Sequence, residues 1–455
     1  MSGPVRWHAR WVVPVATPPI ADGTVITEGD RITWVGPRAS APPVASAGGR
    51  DEELGDCILT PGLVNAHTHL DLTMFRGALE DLGFFDWVRT LTAAKRELLT
   101  LDDFRAAALL GAAEGLSRGI TTFGDTADND AAFDALLALG ARGIAYREVF
   151  GPDPLQCAES LAYIEGAVGT MRARATPLVR VGVSPHAPYS VSDALFNAVG
   201  EFAARERLPL AVHVAESAAE DDLVIRAAGP FAELLRGRGL DVARRAYGPI
   251  QLLDAAGLLR SGTLLIHCVR ASASDVARMA DTGCGIAHCP ASNAKLGHGI
   301  APLKEFLAAG ARVGLGSDSM ASNNSMDLLA EARLASLQQR ALTKKPDALP
   351  ARAAFRLATL GGAEALRLDG ETGSLVPGKQ ADLAAFRVSD LGSPAEDPLA
   401  ALVFAAGQVQ AHRVVIAGVE RVRDGVVTGL DPLVAARVRD AGTRLAQWRR
   451  ARASR

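Results

Sequence analysis

The chain opens on alternation of apolar and polar residues. GTVITEGDRITWVG alternates about a Gly-Asp turn, which predicts a half-buried hairpin over 23–36. PRASAPPVASAGGRDEEL follows and reads as a surface loop. From about Leu59 the pattern changes to short apolar runs separated by Ala- and Leu-rich stretches of helical spacing, such as DDFRAAALLGAAEGLSRG. The runs are GLVNAHTHL, GITTFGDT, GIAYREVFG, VRVGVSPHAPY, LPLAVHVAES, GTLLIHCVR, GCGIAHCPASN and RVGLGSDS. Eight strands alternating with helices predict a parallel (β/α)8 TIM barrel. An open doubly wound sheet is the alternative, weakened because no G-x-G-x-x-G follows the first strand.

After about Gly370 strand patterns return in GSLVPGKQADLAAFRV and HRVVIAGVERVRDGVV. The expected organisation is α/β: a barrel over 60–369, a small β-sandwich domain from both chain ends (1–59 with 370–428), and a C-terminal helix over 429–455. LVAARVRDAGTRLAQWRR carries that helix by its apolar spacing. No repeat of solenoid period is present.

Composition narrows the class. A chain of 455 residues that is 48% hydrophobic has ample core. A net charge of −3 gives no basic field for nucleic acid or a membrane surface. Five cysteines without regular spacing suggest reduced thiols and a cytoplasmic protein. Prolines and Arg10 interrupt the N-terminal apolar run, so no signal peptide is read there.

Candidate chemistry gathers at the strand ends. His67 and His69 form an H-x-H pair closing the first run, and residues two apart on a strand share a face. His213 ends the fifth run, His267 the sixth and Asp318 the eighth. Any one of these reads most simply as a hydrogen-bonded strand end. Five at matching positions point to a metal site at the C-terminal face of the barrel. Imidazoles with a carboxylate suit one divalent ion, Zn²⁺ first and Fe²⁺ or Ni²⁺ next.

Glu216, three residues after His213, reaches the metal side if the chain turns helically there, and would serve as general acid or base. The bland reading is an acid at a helix start. Cys268 and Cys289 each follow a histidine, but alternation turns them away, so they read as buried thiols. His186, in SPHAPYS, is a candidate substrate contact. His298, in the loop after the seventh strand, is a candidate pocket residue, as is Arg147 at the end of the third run. His8 and His412 read as structural.

At these residues the chain resembles the amidohydrolase superfamily, and most closely its adenine-nucleoside deaminase branch, the methylthioadenosine/S-adenosylhomocysteine deaminases and relatives. PGLVNAHTHLDLTMFRG, SPHAPYS, HVAES, HCV, AHCPASNAKLGHGIAPL, GLGSDSMASNNSMDLLAEARLA, ATLGGAEALRL and GSLVPGKQADLAAF carry the resemblance in order, from about Thr60 to Phe386. It implies metal ligation by His67, His69, His213 and Asp318. It implies that Glu216 protonates a ring nitrogen, that His267 orients the attacking hydroxide, and that His186 bonds the purine. Asp318 would also accept a proton from the attacking water. His186 stands where two-metal relatives carry a bridging lysine, which implies one metal. A purine nucleoside and water are the implied partners, and homo-oligomers are common in the family.

Two features set the chain apart from that family. Relatives carry an acid for the ribose hydroxyls a few residues after the Trp that matches Trp87; Arg96 stands there, with Glu97 next. The segment after HVAES is also lengthened. Both resemble enzymes that deaminate 6-amino-6-deoxyfutalosine in menaquinone biosynthesis, whose benzoate an arginine would pair. Deamination of methylthioadenosine, S-adenosylhomocysteine or 5′-deoxyadenosine is the alternative. Triazine-type chlorohydrolysis and a catalytically dead scaffold are further alternatives. The presence of Glu216 disfavours the first of these, and the intact ligand set disfavours the second.

Overall fold

The computed structural model describes residues 3–43, 49–392, 394–407 and 409–453. Nine strands make one sheet in the middle of the chain. They are β1 (Leu63–His69), β2 (Ile120–Ala127), β3 (Arg142–Val149), β4 (Val179–Pro185), β5 (Leu210–Val214), β6 (Thr263–His267), β7 (Gly285–His288), β8 (Arg312–Leu315) and the two-residue β9 (Asp318–Ser319). All neighbours are parallel, and each expected apolar run forms its strand. The eighth run is split: β8 pairs with β7, while β9 pairs with β1 through Asp318 and Thr68. Asn65 bridges the break, donating to Ser317 Oγ at 2.8 Å and accepting from its N–H at 3.0 Å. The ring therefore closes as a (β/α)8 barrel.

Facing sets follow from alternation. Val64 and Ala66 of β1, Ile144 and Tyr146 of β3, Ala211 of β5 and Ile266 of β6 share one buried interior cluster. Their neighbours Ala145, Val212 and Leu265 pack outward against helices. One such helix, Leu101–Ser117, starts at a Thr100–Asp103 capping box.

The chain ends build a second, mixed nine-stranded sheet. Val5–Val12, Ile20–Glu28 and Arg31–Pro37 form an antiparallel meander that includes the expected hairpin. Cys57–Pro61 joins it to Leu383–Arg387, and Arg413–Ile416, Val419–Arg423 and Val426–Val427 continue it. Residues 44–48 of the expected surface loop lie outside the described residues. At its end Arg50–Glu53 is a strand, pairing in parallel with Val5–His8. Its charges hid it: Asp51 and Glu53 face outward and pair with Arg6 and Arg38.

One face of this sheet has its own core around Trp7, Val12, Leu59 and Leu383. The other face, with Ile58 and Phe386, merges into the barrel core. Phe386 lies over Gly119, where an added Cβ would meet its ring at 2.7 Å and φ is +85°. A buried ion pair ties the two bodies: Arg142, at the start of β3, donates to Asp382 at 2.7 and 3.2 Å. The final helix, Val434–Ala453, packs on Leu101–Ser117, with Arg444 paired to Asp103. Among the described residues no helix is long and apolar enough to cross a membrane.

Candidate active site

The C-terminal ends of the barrel strands gather the titratable residues. β1 reaches the mouth through a bulge. Asn65 pairs with Phe123 and Thr68 with Asp125, so β1 spends three residues where β2 spends two. The extra residue re-phases the strand. Val64 and Ala66 face the interior, and past the bulge His67 and His69 both face the mouth. β5 needs no such device, because His213 shares the parity of Ala211.

Four groups converge. His69 Nε2 and His213 Nε2 are 3.3 Å apart, and Asp318 Oδ1 lies 3.3 Å from His67 Nε2 and 3.7 Å from His69 Nε2. Ligand atoms of His67, His69 and His213 lie within 4.8 Å of one another. His213 Nδ1 donates to the His186 carbonyl at 3.2 Å, which leaves Nε2 with a lone pair. Both ring nitrogens of His67 are buried without a hydrogen-bond partner. Lone pairs aimed at one point, with a buried carboxylate beside them, are costly unless a cation lies between them. Two ligands at about 2.0–2.1 Å from a tetrahedral zinc stand about 3.3 Å apart, which is the spacing found here. The donor set thus fits one divalent ion. Burial lowers His67 to about 4 and His213 well below its ordinary value, so both imidazoles are neutral near pH 7. Asp318 is buried among these rings. Its Oδ2 accepts from Ser292 at 2.5 Å and Ser322 at 2.9 Å.

A second group adjoins the first. Glu216 Oε1 stands 3.5 Å from His267 Nε2 and 3.3 Å from His298 Nε2. Burial alone would raise Glu216, but the two imidazoles hold it below its ordinary value. The chain does not turn helically after β5, as the sequence suggested. Ala215 takes a left-handed φ of 51°, and Glu216 reaches the site through that bend, ahead of the helix Ala218–Arg226. Glu220 of that helix holds the bend, accepting from the N–H of Ala215 at 2.9 Å and of Glu216 at 2.8 Å. His267 would face outward by alternation, since Leu264 and Ile266 face in. Its own φ of +74° swings it to the mouth, where Nδ1 donates to Asn293 Oδ1 at 2.9 Å. Asp318 is also left-handed, at φ +55°.

His186 flanks His213, with ring centroids 4.8 Å apart. An aromatic roof closes over the site. Phe84 meets His298 edge-on at 4.6 Å, and Phe231 stacks on Tyr189 at 4.4 Å. Phe231 comes from the lengthened segment, which folds as the helices Ala218–Arg226, Gly229–Gly237 and Pro249–Ala255.

Other expectations are corrected. Arg96 is exposed on the helix Phe84–Glu97, and Glu97 pairs with Arg452 and Trp448 of the final helix. One residue earlier, Lys95 is turned inward and donates to Asp128 at 2.9 Å. Arg147 has the outward parity of Ala145 and is taken up by Asp130 at 3.1 Å and Tyr163 at 2.6 Å. Glu148 holds the inward position, 4.0 Å from both His186 and His213. Its signal was present, an acid closing the third run as histidines close others. Cys289 faces the interior with Ala287, so alternation holds there but with His288, not Cys289, on the other face. Cys268 packs outward. Burial pushes both thiols well up, and neither belongs to a candidate metal cluster among the described residues. His8 lies in the end sheet between Thr24 and Asp51, and His412 precedes the strand Arg413–Ile416.

A parallel barrel with imidazoles and a carboxylate at its C-terminal mouth defines a metal-dependent barrel hydrolase. Residues 58–421 match the amidohydrolase family model, and the chain belongs to that family. It is 34% identical to a 5-methylthioadenosine/S-adenosylhomocysteine deaminase of Desulforudis audaxviator, over 90% of this chain and 91% of the relative. A zinc-containing adenosine deaminase from Xanthomonas campestris superposes with TM-score 0.85 at 29% identity, over 97% of this chain and 98% of that one. An aminofutalosine deaminase from Helicobacter pylori shares the fold, with TM-score 0.79 at 20% identity over 92% and 100%. The chain is therefore an enzyme of deaminase-type amidohydrolase character, a hydrolase acting on C–N bonds.

Proposed function

We propose that the chain deaminates a 6-aminopurine nucleoside, replacing the amino group with oxygen from water and releasing ammonia. The observation that carries this is Glu216, a buried carboxylate set between His267 and His298 beside the four-ligand cluster. A divalent ion held by His67, His69, His213 and Asp318, zinc first, would supply Lewis acidity and acidify water. The side chains do the proton work. Glu216, which would take up a proton as the purine binds, delivers it to the ring nitrogen beside the reacting carbon while Asp318 takes one from the attacking water. Collapse of the tetrahedral carbon returns the hydroxyl proton to Glu216 and passes the Asp318 proton to the leaving amine, which departs as ammonia. His267, its Nδ1 anchored on Asn293, presents Nε2 to the water. Ser190 Oγ lies 2.7 Å from His186 Nδ1 and donates to the Ala187 carbonyl at 3.1 Å, which anchors the imidazole and leaves its Nε2 for a purine nitrogen. The aromatic roof excludes bulk water.

Within this class, 5′-methylthioadenosine or S-adenosylhomocysteine is the first reading, supported by the curated relative. 6-Amino-6-deoxyfutalosine is the second, supported by the lengthened segment that contributes Phe231. The exposure of Arg96 removes that residue from the argument for a benzoate. A panel of adenine nucleosides, followed by loss of the aminopurine absorbance, ranks the substrates. Glu216→Gln is expected to lose about 10²–10⁴-fold in kcat with metal content still near one per chain. Full activity in that variant would remove Glu216 from the mechanism.

A further inference from the structure

His186 sits on the loop HAPYSVS, which runs from the end of β4 at Pro185 to the helix Asp193–Glu206. Backbone bonds tie its two ends: the His186 N–H donates to the Val149 carbonyl at 3.2 Å, and the Ser192 N–H to that of Gly151 at 2.8 Å. In the middle, Pro188 has no N–H to give. There the loop is gripped by one side chain, Arg245. Its Nη1 donates to the Pro188 carbonyl, its Nη2 to the Val191 carbonyl at 2.9 Å, and its Nε to Asp193 Oδ1 at 2.7 Å. A guanidinium presents five N–H groups in one rigid plane, so the three acceptors are matched by a fork of fixed shape. Arg245 belongs to the lengthened segment, and its side chain is only 15% exposed. Its own backbone is fixed as well, the N–H donating to the Val224 carbonyl of the helix Ala218–Arg226 at 2.9 Å. The same segment touches the loop a second time, where Phe231 stacks on Tyr189, whose ring lies 5.6 Å from that of His186. The neighbouring Arg244 is exposed and reaches its own segment, at the Ala246 carbonyl and the Tyr247 ring.

We infer that Arg245 is a positioning residue for His186, and that the lengthened segment is a strut for the purine-contacting loop as well as part of the roof. The inference rests on the reading of His186 as the purine contact. Such a contact acts on the bound nucleoside before and during reaction alike. Loosening it therefore raises KM and leaves kcat nearly unchanged.

The test sets Arg245→Ala beside Arg244→Ala in the metal-loaded full chain, with the adenine nucleoside of the panel that wild type turns over fastest. Arg245→Ala is expected to raise KM about tenfold with kcat within about twofold of wild type. Arg244→Ala is expected to leave both within about twofold. Arg245→Lys keeps the charge, but one ammonium cannot match the fork. An intermediate KM is expected there, and this variant supplies the test if the alanine does not fold. Hydrogen exchange gives a readout that needs no substrate. In the Arg245 variants the amides of residues 186–192 are expected to exchange about tenfold faster than in wild type, with those of β4 unchanged. An unchanged KM, a rise that Arg244→Ala shares, a loss confined to kcat, or exchange in 186–192 no faster than in wild type would each overturn the strut. No turnover of any panel nucleoside by wild type would instead sink the deaminase reading, and the exchange result would still decide whether Arg245 holds the loop.

Discussion

In the end sheet, Cys57 and Leu59 face one core and Ile58 faces the other, and Ala385 and Phe386 divide in the same way. Strict alternation there gives two apolar faces, each covered. In the mouth of the barrel the rule fails at nearly every residue that carries chemistry. His67 arrives through a bulge, His267 and Asp318 through left-handed backbone, and Glu216 one residue past left-handed Ala215. Non-glycine residues in that conformation cost on the order of 1–3 kcal/mol each. The surrounding structure compensates by over-determining them, as the two Glu220 hydrogen bonds do for Ala215 and Glu216. The end sheet is built for burial, whereas the mouth converges side chains from strands whose regular geometry would scatter them.

This contrast can be broken at several points. The largest effect is expected at the joint between the two bodies. Asp382→Ala removes the shortest carboxylate contact of the buried Arg142 and leaves it Glu371 at 3.5 Å and Gln380 at 3.2 Å, so the cost in urea unfolding should fall at the low end of about 3–5 kcal/mol. A loss below about 1 kcal/mol would mean that the Asp382 contact adds little to what Glu371 and Gln380 already give Arg142. Next is Glu220→Gln. An amide offers one acceptor to two N–H groups, so about 1–3 kcal/mol of stability should go. Because the bend aims Glu216, kcat should fall with it while bound metal stays near one per chain. Unchanged kcat would separate Glu220 from catalysis. The smallest effect contrasts two alanines. Ala385→Gly, in a regular strand, should cost about 1 kcal/mol. Ala215→Gly, where the backbone is left-handed, should be neutral or stabilising by up to about 1 kcal/mol. Equal losses at both positions would dissolve the distinction between regular and strained backbone.

Misreadings in the site follow the same line. Arg96 and Arg147 are the candidates the sequence offers, whereas Lys95 and Glu148 beside them are the residues turned inward. Each pair is adjacent in sequence and opposite in facing, so an error of one residue exchanges a pocket group for an outward one. Cys289 reads as outward only if His288 faces in, whereas Ala287 and Cys289 are the residues that share the interior.

The sequence by itself determined the order of strands and helices, the closed parallel architecture, and the residue types at the mouth. Those rest on local pattern: apolar runs of strand length, helical spacing between them, and polar residues at their ends. Tertiary structure alone decided which of the polar residues meet. Register across β1 and β2, the backbone hand at Ala215, His267 and Asp318, and the partners of Glu220 and Asn293 are set by groups distant in the chain. The candidate metal site was legible as a list of ligands. Its convergence was not, because it depends on departures from the periodicity by which sequence is read.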